Sequence, residues 1–411
     1  MSAVLALPLA AIQPRAKRRM VVLSVSAGNG HLRAAQALCA AAQDWQDLEV
    51  QHIDVLSLAP FLFRKLYADL YLKLVQSLPS AWSALYRHTD LACPESRTNR
   101  VRRRIEHACT RALRRRLAQL APDIIVCTHF LPAEMLGRLP EHKRPAAPLY
   151  VQVTDYDLHS MWLQPNVAGY FVASEELAWQ LRQRGVPAAR VHVSGIPVMP
   201  GFVRPPARAE ARKELGLPEK RFVILLMGGG HGHGEMARIA QELLSLPQAP
   251  VVLAVAGRNA ANQAALEVLA RETAQQLRVF GFTDRIPVLM RAADFAVSKP
   301  GGLTTAECLA LGLPLIAVDS IPGQEERNAD YLLEHGAALK AVSAARVQYR
   351  ARQLLDDPAR LARMREAARA LGKPQAAGSV LRITLGLRPV AGDDAKPAPS
   401  FLQRRFPLPH P

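Results

Sequence analysis

Along most of this chain, short apolar runs of strand length end in a glycine turn and lead straight into a stretch of helical composition. Met20–Val25 runs into Ser26-Ala27-Gly28-Asn29-Gly30-His31 and an alanine-rich helix, and Phe222–Met227 ends in the loop Gly228-Gly229-Gly230-His231-Gly232-His233-Gly234. Val251–Ala256 ends in Gly257-Arg258-Asn259, Leu277–Phe280 in Gly281-Phe282-Thr283-Asp284, and Asp294–Ser298 in Pro300-Gly301-Gly302 before a helical stretch Thr304–Gly312. Strands that are apolar on both faces need cover on both sides, and helices alternating with parallel strands supply it. Residues 199–221, with prolines at 200, 205, 206 and 218, look like a crossing between two such units, and 411 residues suffice for two full cores. The expected fold is α/β, with two Rossmann-like doubly wound domains facing a cleft. Its expected parts are a first domain at 20–198, the crossing at 199–221 and a second domain at 222–388. The ends, 1–19 and 389–411, are expected to be disordered.

The segment 294–328 is the centre of the expected chemistry. A helix that starts directly after Gly301 and Gly302 presents unpaired N–H groups and its positive dipole end, which suits phosphate oxygens. Thr304 and Thr305 add hydroxyls, and Glu307 lies about one turn in, where a carboxylate accepts hydrogen bonds from a pair of sugar hydroxyls. Glycines that serve only the turn are the plainer alternative. The polar cluster Pro322-Gly323-Gln324-Glu325-Glu326-Arg327-Asn328, placed after the strand Leu315–Val318, favours a ligand site. The alternating glycines from 228 to 234, among them Gly229 and Gly230, suit a loop that wraps a phosphate or stays mobile.

Gly28, Asn29 and Gly30 lack the GxGxxG spacing of a dinucleotide fingerprint. They suit a close backbone approach to a substrate, with His31 at a helix N-terminus, where the dipole favours the neutral imidazole that a general base needs. Strand Asp123–Cys127 leads to His129. Strand Leu149–Val153 leads to Asp155, His159 and Trp162. Ligands of open parallel sheets sit at the carboxyl ends of strands, so His31, His129, Asp155 and His159 are expected to converge. Without HxH or HExxH spacing, a metal cluster is not expected.

Charge points outward from this cleft. The net charge of +17 resides in 60–120 and 341–411. Residues 58–78 are apolar and aromatic except for a narrow polar stripe, which suits either a helix buried between neighbours or one lying in a lipid interface. In the second reading Phe61, Phe63, Tyr67 and Tyr71 dip into lipid while Arg64, Lys65 and Lys73 stay at headgroup level. The arginine run that follows, with Arg102, Arg103 and Arg104 at its centre, suits anionic lipid; nucleic acid is a rival without a recognised motif. The five cysteines are odd in number and scattered, and no CxxC occurs. They indicate a reducing compartment and no zinc site. The expected location is cytoplasmic, peripheral on the inner face of the membrane.

Taken together, SAGNGHLRAAQAL, VTDYDLHSMWLQP, YFVASEE, VSGIPVMPGF, LLMGGGHG, GFTDRIPVLMRAADFAVSKPGGLTTAECLALGLPLI and PGQEERNADYLLEHGAA resemble the monogalactosyldiacylglycerol synthase and processive diacylglycerol glycosyltransferase family over about residues 20–385. More distantly, they are similar to the peptidoglycan lipid-intermediate N-acetylglucosaminyltransferase. The resemblance implies the glycosyltransferase B fold and inverting transfer of a hexose from UDP-glucose or UDP-galactose to diacylglycerol or a related lipid. By motif, Phe282 would meet uracil, Glu307 the ribose, and Gly301, Gly302, Leu303 and Thr304 the pyrophosphate. Gln324, Glu325 and Asn328 would hold the donor sugar, and Lys299, Gly229 and Gly230 complete the donor set. His31 would be base or oxyanion partner, with Asp155 its competitor. No DxD motif stands in the expected places, so no cofactor or metal is expected, and backbone N–H groups would meet the leaving-group charge. The histidines His231 and His233 add possible phosphate donors without an assigned role. Alternatives are a UDP-sugar epimerase, a transferase to a soluble acceptor and, last, a non-catalytic basic scaffold.

Overall fold

The computed structural model describes residues 17–26, 28–58, 110–228, 235–273, 275–318, 320 and 323–387. Within them, six strands form a first parallel sheet, β1 (Arg18–Ser24), β2 (Leu48–Asp54), β3 (Ile124–Cys127), β4 (Leu149–Gln152), β5 (Gly169–Phe171) and β6 (Val191–His192), in the order β2-β1-β3-β4-β5-β6. Six more form a second parallel sheet, β7 (Val223–Met227), β8 (Val251–Gly257), β9 (Leu277–Gly281), β10 (Phe295–Ser298), β11 (Leu315–Ala317) and β12 (Ala338–Lys340), in the order β12-β11-β10-β7-β8-β9. The apolar runs do what their composition demands. Every residue of β3, β7 and β10 is buried, as in strands covered on both faces.

Registers fix where the loops emerge. Val22 pairs with His52 on one side and with Val126 on the other, so strand order reverses between β1 and β3. Leu226 pairs with Val297, and the second sheet reverses between β7 and β10. Crevices at such reversals are where open α/β sheets bind ligands. The turn after β1, the turn after β3 and the turn after β10 all lie there.

Three details depart from the sequence expectation. The helix after β10, expected from Thr304, starts two residues earlier, because Gly301 caps it and Gly302 is its first residue. Asp294, expected to begin that strand, instead accepts hydrogen bonds from Arg208, Arg212, Arg365 and the Val223 N–H; a buried carboxylate needs such partners. The crossing is not an open linker. Phe202, Ala211, Leu215 and Leu217 are buried in one core with Val223, Leu225 and Leu253 of the second sheet.

A last helix, Ala376–Thr384, turns back onto the first sheet, where Ala377, Val380 and Leu381 share a core with Met20, Val22, Ala35 and Leu38. Arg18 Nη1 donates to Leu385 O at 3.1 Å at its end. Between the halves, apolar packing is continuous, since Ala34, Tyr156, Ile196 and Val198 of the first half belong to the core of the second.

Candidate active site

Two helices meet at the cleft with their N-terminal ends. Helix α1 (Asn29–Ala42) follows β1, and helix α2 (Gly302–Leu311) follows β10. In both the N-cap residue is a glycine, Gly28 and Gly301, and supplies no side-chain cap to the first N–H groups. Gly30 faces Leu303, with room for a Cβ at 3.8 Å, while Ala34 is fully buried against α2. At Gly302 the fit is closer. A Cβ there would lie 1.9 Å from the Thr154 carbonyl oxygen, so only glycine allows the segment 154–158, a strap after β4, to rest on the start of α2.

The strap carries the acid. Asp155 is buried, and burial raises its carboxyl from 3.8 to about 6, although Gln324, Trp162, Asn328 and His159 around it pull the other way. Gln324 opens helix α3 (Gln324–Glu334) and donates Nε2–H to Asp155 Oδ1 at 2.7 Å across the cleft. Four elements thus bring His31, His129, Asp155, His159 and Trp162 together. The ring centroids of His31 and His129 are 4.5 Å apart, and those of His31 and Trp162 6.1 Å.

Hydrogen bonds separate the roles of the three imidazoles. His31 Nδ1 lies 3.0 Å from Thr128 O and 2.7 Å from Thr154 Oγ1. A carbonyl oxygen only accepts, so Nδ1 bears the proton and Nε2 keeps its lone pair. The side chains of His129 and His159 do the reverse. His129 Nδ1 accepts from Leu131 N–H at 3.0 Å and His159 Nδ1 from Met161 N–H at 3.2 Å, each capping the turn it precedes. Their neutral rings carry the proton on Nε2 and are hydrogen-bond donors toward any further partner. Burial lowers His31 from 6.5 to about 4 against the opposing Thr128 bond, and burial with the neighbouring His31 lowers His129 well below 6.5. Both are neutral at pH 7.

On the other wall, Glu307 is buried one turn into α2, and burial pushes its carboxyl up to about 8 while Arg33 of α1 pulls it down. Gly301, Leu303, Thr304, Lys299 and Glu325 are half-buried at the same edge, and a Cβ on Gly301 would meet Glu325 Oε1 at 3.8 Å. Phe282 stands 62% exposed after β9, with the Arg258 guanidinium 4.6 Å from its ring centre. An exposed aromatic beside a cationic lid is suited to stacking a flat ligand. Asn328 has no exposed surface; its Oδ1 accepts Tyr156 N–H at 2.8 Å, and its Nδ2 has no hydrogen-bond partner among the described residues.

Gly229, Gly230, His231 and His233 lie outside the described residues, as do Phe61, Phe63, Arg64, Lys65, Tyr67, Tyr71, Lys73, Arg102, Arg103 and Arg104. Among the described residues, no group of three or more His, Cys, Asp or Glu is arranged to hold a metal ion, and no helix is long and apolar enough to cross a membrane. Sequence reasoning passed over Thr154, Asp157, Arg33 and Arg327. Thr154 and Asp157 stand inside the quoted TDYD stretch, but a hydroxyl or carboxylate that acts across a cleft leaves no spacing signal in one sequence.

Comparison with known proteins agrees with this layout. Residues 31–198 match the family described as monogalactosyldiacylglycerol (MGDG) synthase, and residues 207–371 match glycosyl transferases group 1. A protein of Bacillus pumilus named processive diacylglycerol beta-glucosyltransferase is 26% identical over 371 residues, covering 89% of this chain and 94% of its own. One of the same name from Bacillus subtilis is 28% identical over 360 residues, covering 85% and 90%. Among solved structures, Acinetobacter baumannii MurG superposes with a TM-score of 0.59 at 16% identity over 90% of this chain and all of that one. A UDP-GlcNAc 2-epimerase from Neisseria meningitidis does so at 0.58 and 14%, with the same coverage. The two facing parallel sheets are the glycosyltransferase B fold.

Proposed function

Because both halves of this chain match glycosyltransferase families, we propose that it transfers a hexose from a UDP-sugar to the free hydroxyl of diacylglycerol, with inversion, to give a glycolipid. The observation that carries this reading is the contact of the acid-bearing strap with the start of α2, which sets the groups able to take a proton beside a ready anion site. The similar bacterial enzymes are named for glucose, which favours UDP-glucose over UDP-galactose as donor.

In this reading the diphosphate lies at the N–H groups of Gly302, Leu303 and Thr304, the ribose hydroxyls at Glu307 and the uracil against Phe282. Gln324 and Glu325 face the sugar. The lipid oxygen forms a bond to the anomeric carbon as the bond from that carbon to the phosphate oxygen breaks, and UDP leaves with both electrons of that bond. The hydroxyl proton passes to a base. His31 Nε2 suits this task, since the lone-pair nitrogens of His129 and His159 already cap turns. The low basicity that burial gives His31 rises when a dianionic diphosphate lies opposite it, because a nearby negative charge favours imidazolium. Asp155 is the second candidate, since its raised pKa of about 6 also suits proton acceptance near neutrality. Developing charge on UDP is met by backbone N–H groups and the α2 dipole, a scheme that calls for no metal or other cofactor.

The acceptor implies a lipid surface. The reading places the protein in the cytoplasm at the inner face of the membrane, with 58–78 and 97–116 as its contact with anionic lipid and no role for nucleic acid. The test is thin-layer separation of lipids from cells that make the protein. A new β-linked hexosyl diacylglycerol is expected; an unchanged lipid profile would contradict the reading.

A further inference from the structure

The strap and α3 are tied together at three successive levels besides the Gln324–Asp155 bond. Asn328 Oδ1 accepts the Tyr156 N–H at 2.8 Å. Arg327 Nη1 donates to Asp157 Oδ2 at 2.5 Å, while Gln180 Nε2 donates to Asp157 Oδ1 at 2.8 Å. Gln180 Oε1 in turn accepts the Leu158 N–H at 2.9 Å, so the helix Glu175–Gln183 holds the strap from behind. The rings of Tyr156 and Tyr331, both buried, lie 4.8 Å apart at 32°. Positions 324, 327, 328 and 331 fall at i, i+3, i+4 and i+7, which is one face of α3. That face meets the strap, and its first turn carries Gln324.

We propose that Arg327 and Asp157 are positioning residues for Asp155: they fix the strap to α3, so that the acid and the helix facing the donor sugar are set as one unit, and neither side chain binds the sugar. The inference rests on the UDP-sugar reading above for what α3 faces. Asn328 Oδ1 adds a further tie, since without it the Tyr156 N–H is stranded, which is costly. Arg327 and Asp157 keep 34% and 25% of their side-chain surface, so their pair contributes little to stability. Its value is geometric, because Asp157 is gripped on both oxygens and transmits the position of one helix to the other. Displacement of a reacting group by a fraction of a bond length lowers rate far more than it lowers affinity.

The test uses the full chain, UDP-glucose and UDP-galactose in turn, and vesicles of phosphatidylcholine containing diacylglycerol. Arg327→Ala and Asp157→Ala are each expected to lower kcat about tenfold with the donor KM within about twofold of wild type. The double variant is expected to be no slower than either single one, because both remove one tie. Arg327→Lys keeps a cation for Asp157 and is expected to retain more kcat than Arg327→Ala, again with the donor KM unchanged. A donor KM raised tenfold at unchanged kcat in the Arg327 or Asp157 variants would put the pair in donor binding and overturn the proposal. Losses that multiply in the Arg327/Asp157 double variant, or variants as fast as wild type, would overturn it too. Hydrogen exchange at the Tyr156 amide reads the same tie without turnover, so a wild type inactive on both donors defeats the function reading and leaves this one testable. Faster exchange in Arg327→Ala than in wild type supports the tie, and equal exchange refutes it.

Discussion

Glu307 offers the most quantitative handle on the site. Its carboxyl is buried one turn into α2 and titrates at about 8 instead of 4.5, because burial penalises the charge more than Arg33 relieves it. The folded-state pKa is raised, so the favourable contribution of this group is complete below pH 4.5 and is lost as pH rises through 8. By linkage, the loss amounts to about 3 kcal/mol at pH 7 and about 5 kcal/mol at pH 9, as upper bounds. Glu307→Gln keeps the shape and removes the titration. Urea denaturation at pH 4.5, 7 and 9 should show the variant close to wild type at the first pH and progressively more stable at the others. The carboxyl is thus mostly protonated at pH 7, whereas the carboxylate is the stronger acceptor for ribose hydroxyls. Calorimetric titration with UDP at pH 7 in buffers of different ionisation enthalpy should therefore show about one more proton released by wild type than by Glu307→Gln. A stability difference independent of pH, or proton release unchanged in the variant, would refute the reasoning.

Other outcomes follow from close contacts and cores. Gly302→Ala places a Cβ within 1.9 Å of Thr154 O, so it should push the strap off α2 and lower kcat about tenfold or more; unchanged kinetics would show that the strap does not rest there during turnover. Leu381→Ala empties a fully buried position between the last helix and the first sheet, with an expected loss of about 2–5 kcal/mol by urea denaturation. A loss below the range would show that this helix does not complete the first core. His31→Gln should lower kcat about a hundredfold with UDP affinity retained, whereas Asp155→Asn should do so if the carboxylate is the base; the pH–rate profile of the more active variant then identifies the remaining proton acceptor.

Much of the fold was legible because parallel strands covered on both faces leave unbroken apolar runs. Val223–Met227 and Phe295–Ser298 are visible for that reason, and the glycines after them mark the reversals of strand order where ligands bind. The return of Ala376–Thr384 to the first sheet was not legible, since an apolar helix face does not name the surface that covers it. Nor was the packing of the crossing, since its prolines do not show that Phe202 and Leu215 join the second core. At the site, His31, Asp155, Glu307 and Gln324 were visible as polar residues at strand ends and helix starts. Asn328 was visible too, but its direction was not, because sequence spacing places a side chain on a helix face without saying which neighbour meets it. Arg327 stood in the polar cluster and Asp157 in the TDYD stretch, but their pairing was not visible, as a pair joined across 170 residues leaves no local pattern.

The central claim concerns what the cleft joins, and coupled product formation tests it most directly. Purified protein is incubated with UDP-glucose or UDP-galactose and with vesicles that contain or lack diacylglycerol, and UDP and glycolipid are measured together. The account predicts UDP release that depends on diacylglycerol, with one UDP formed for each hexose attached. UDP release independent of the lipid, or no release from either donor, would contradict it.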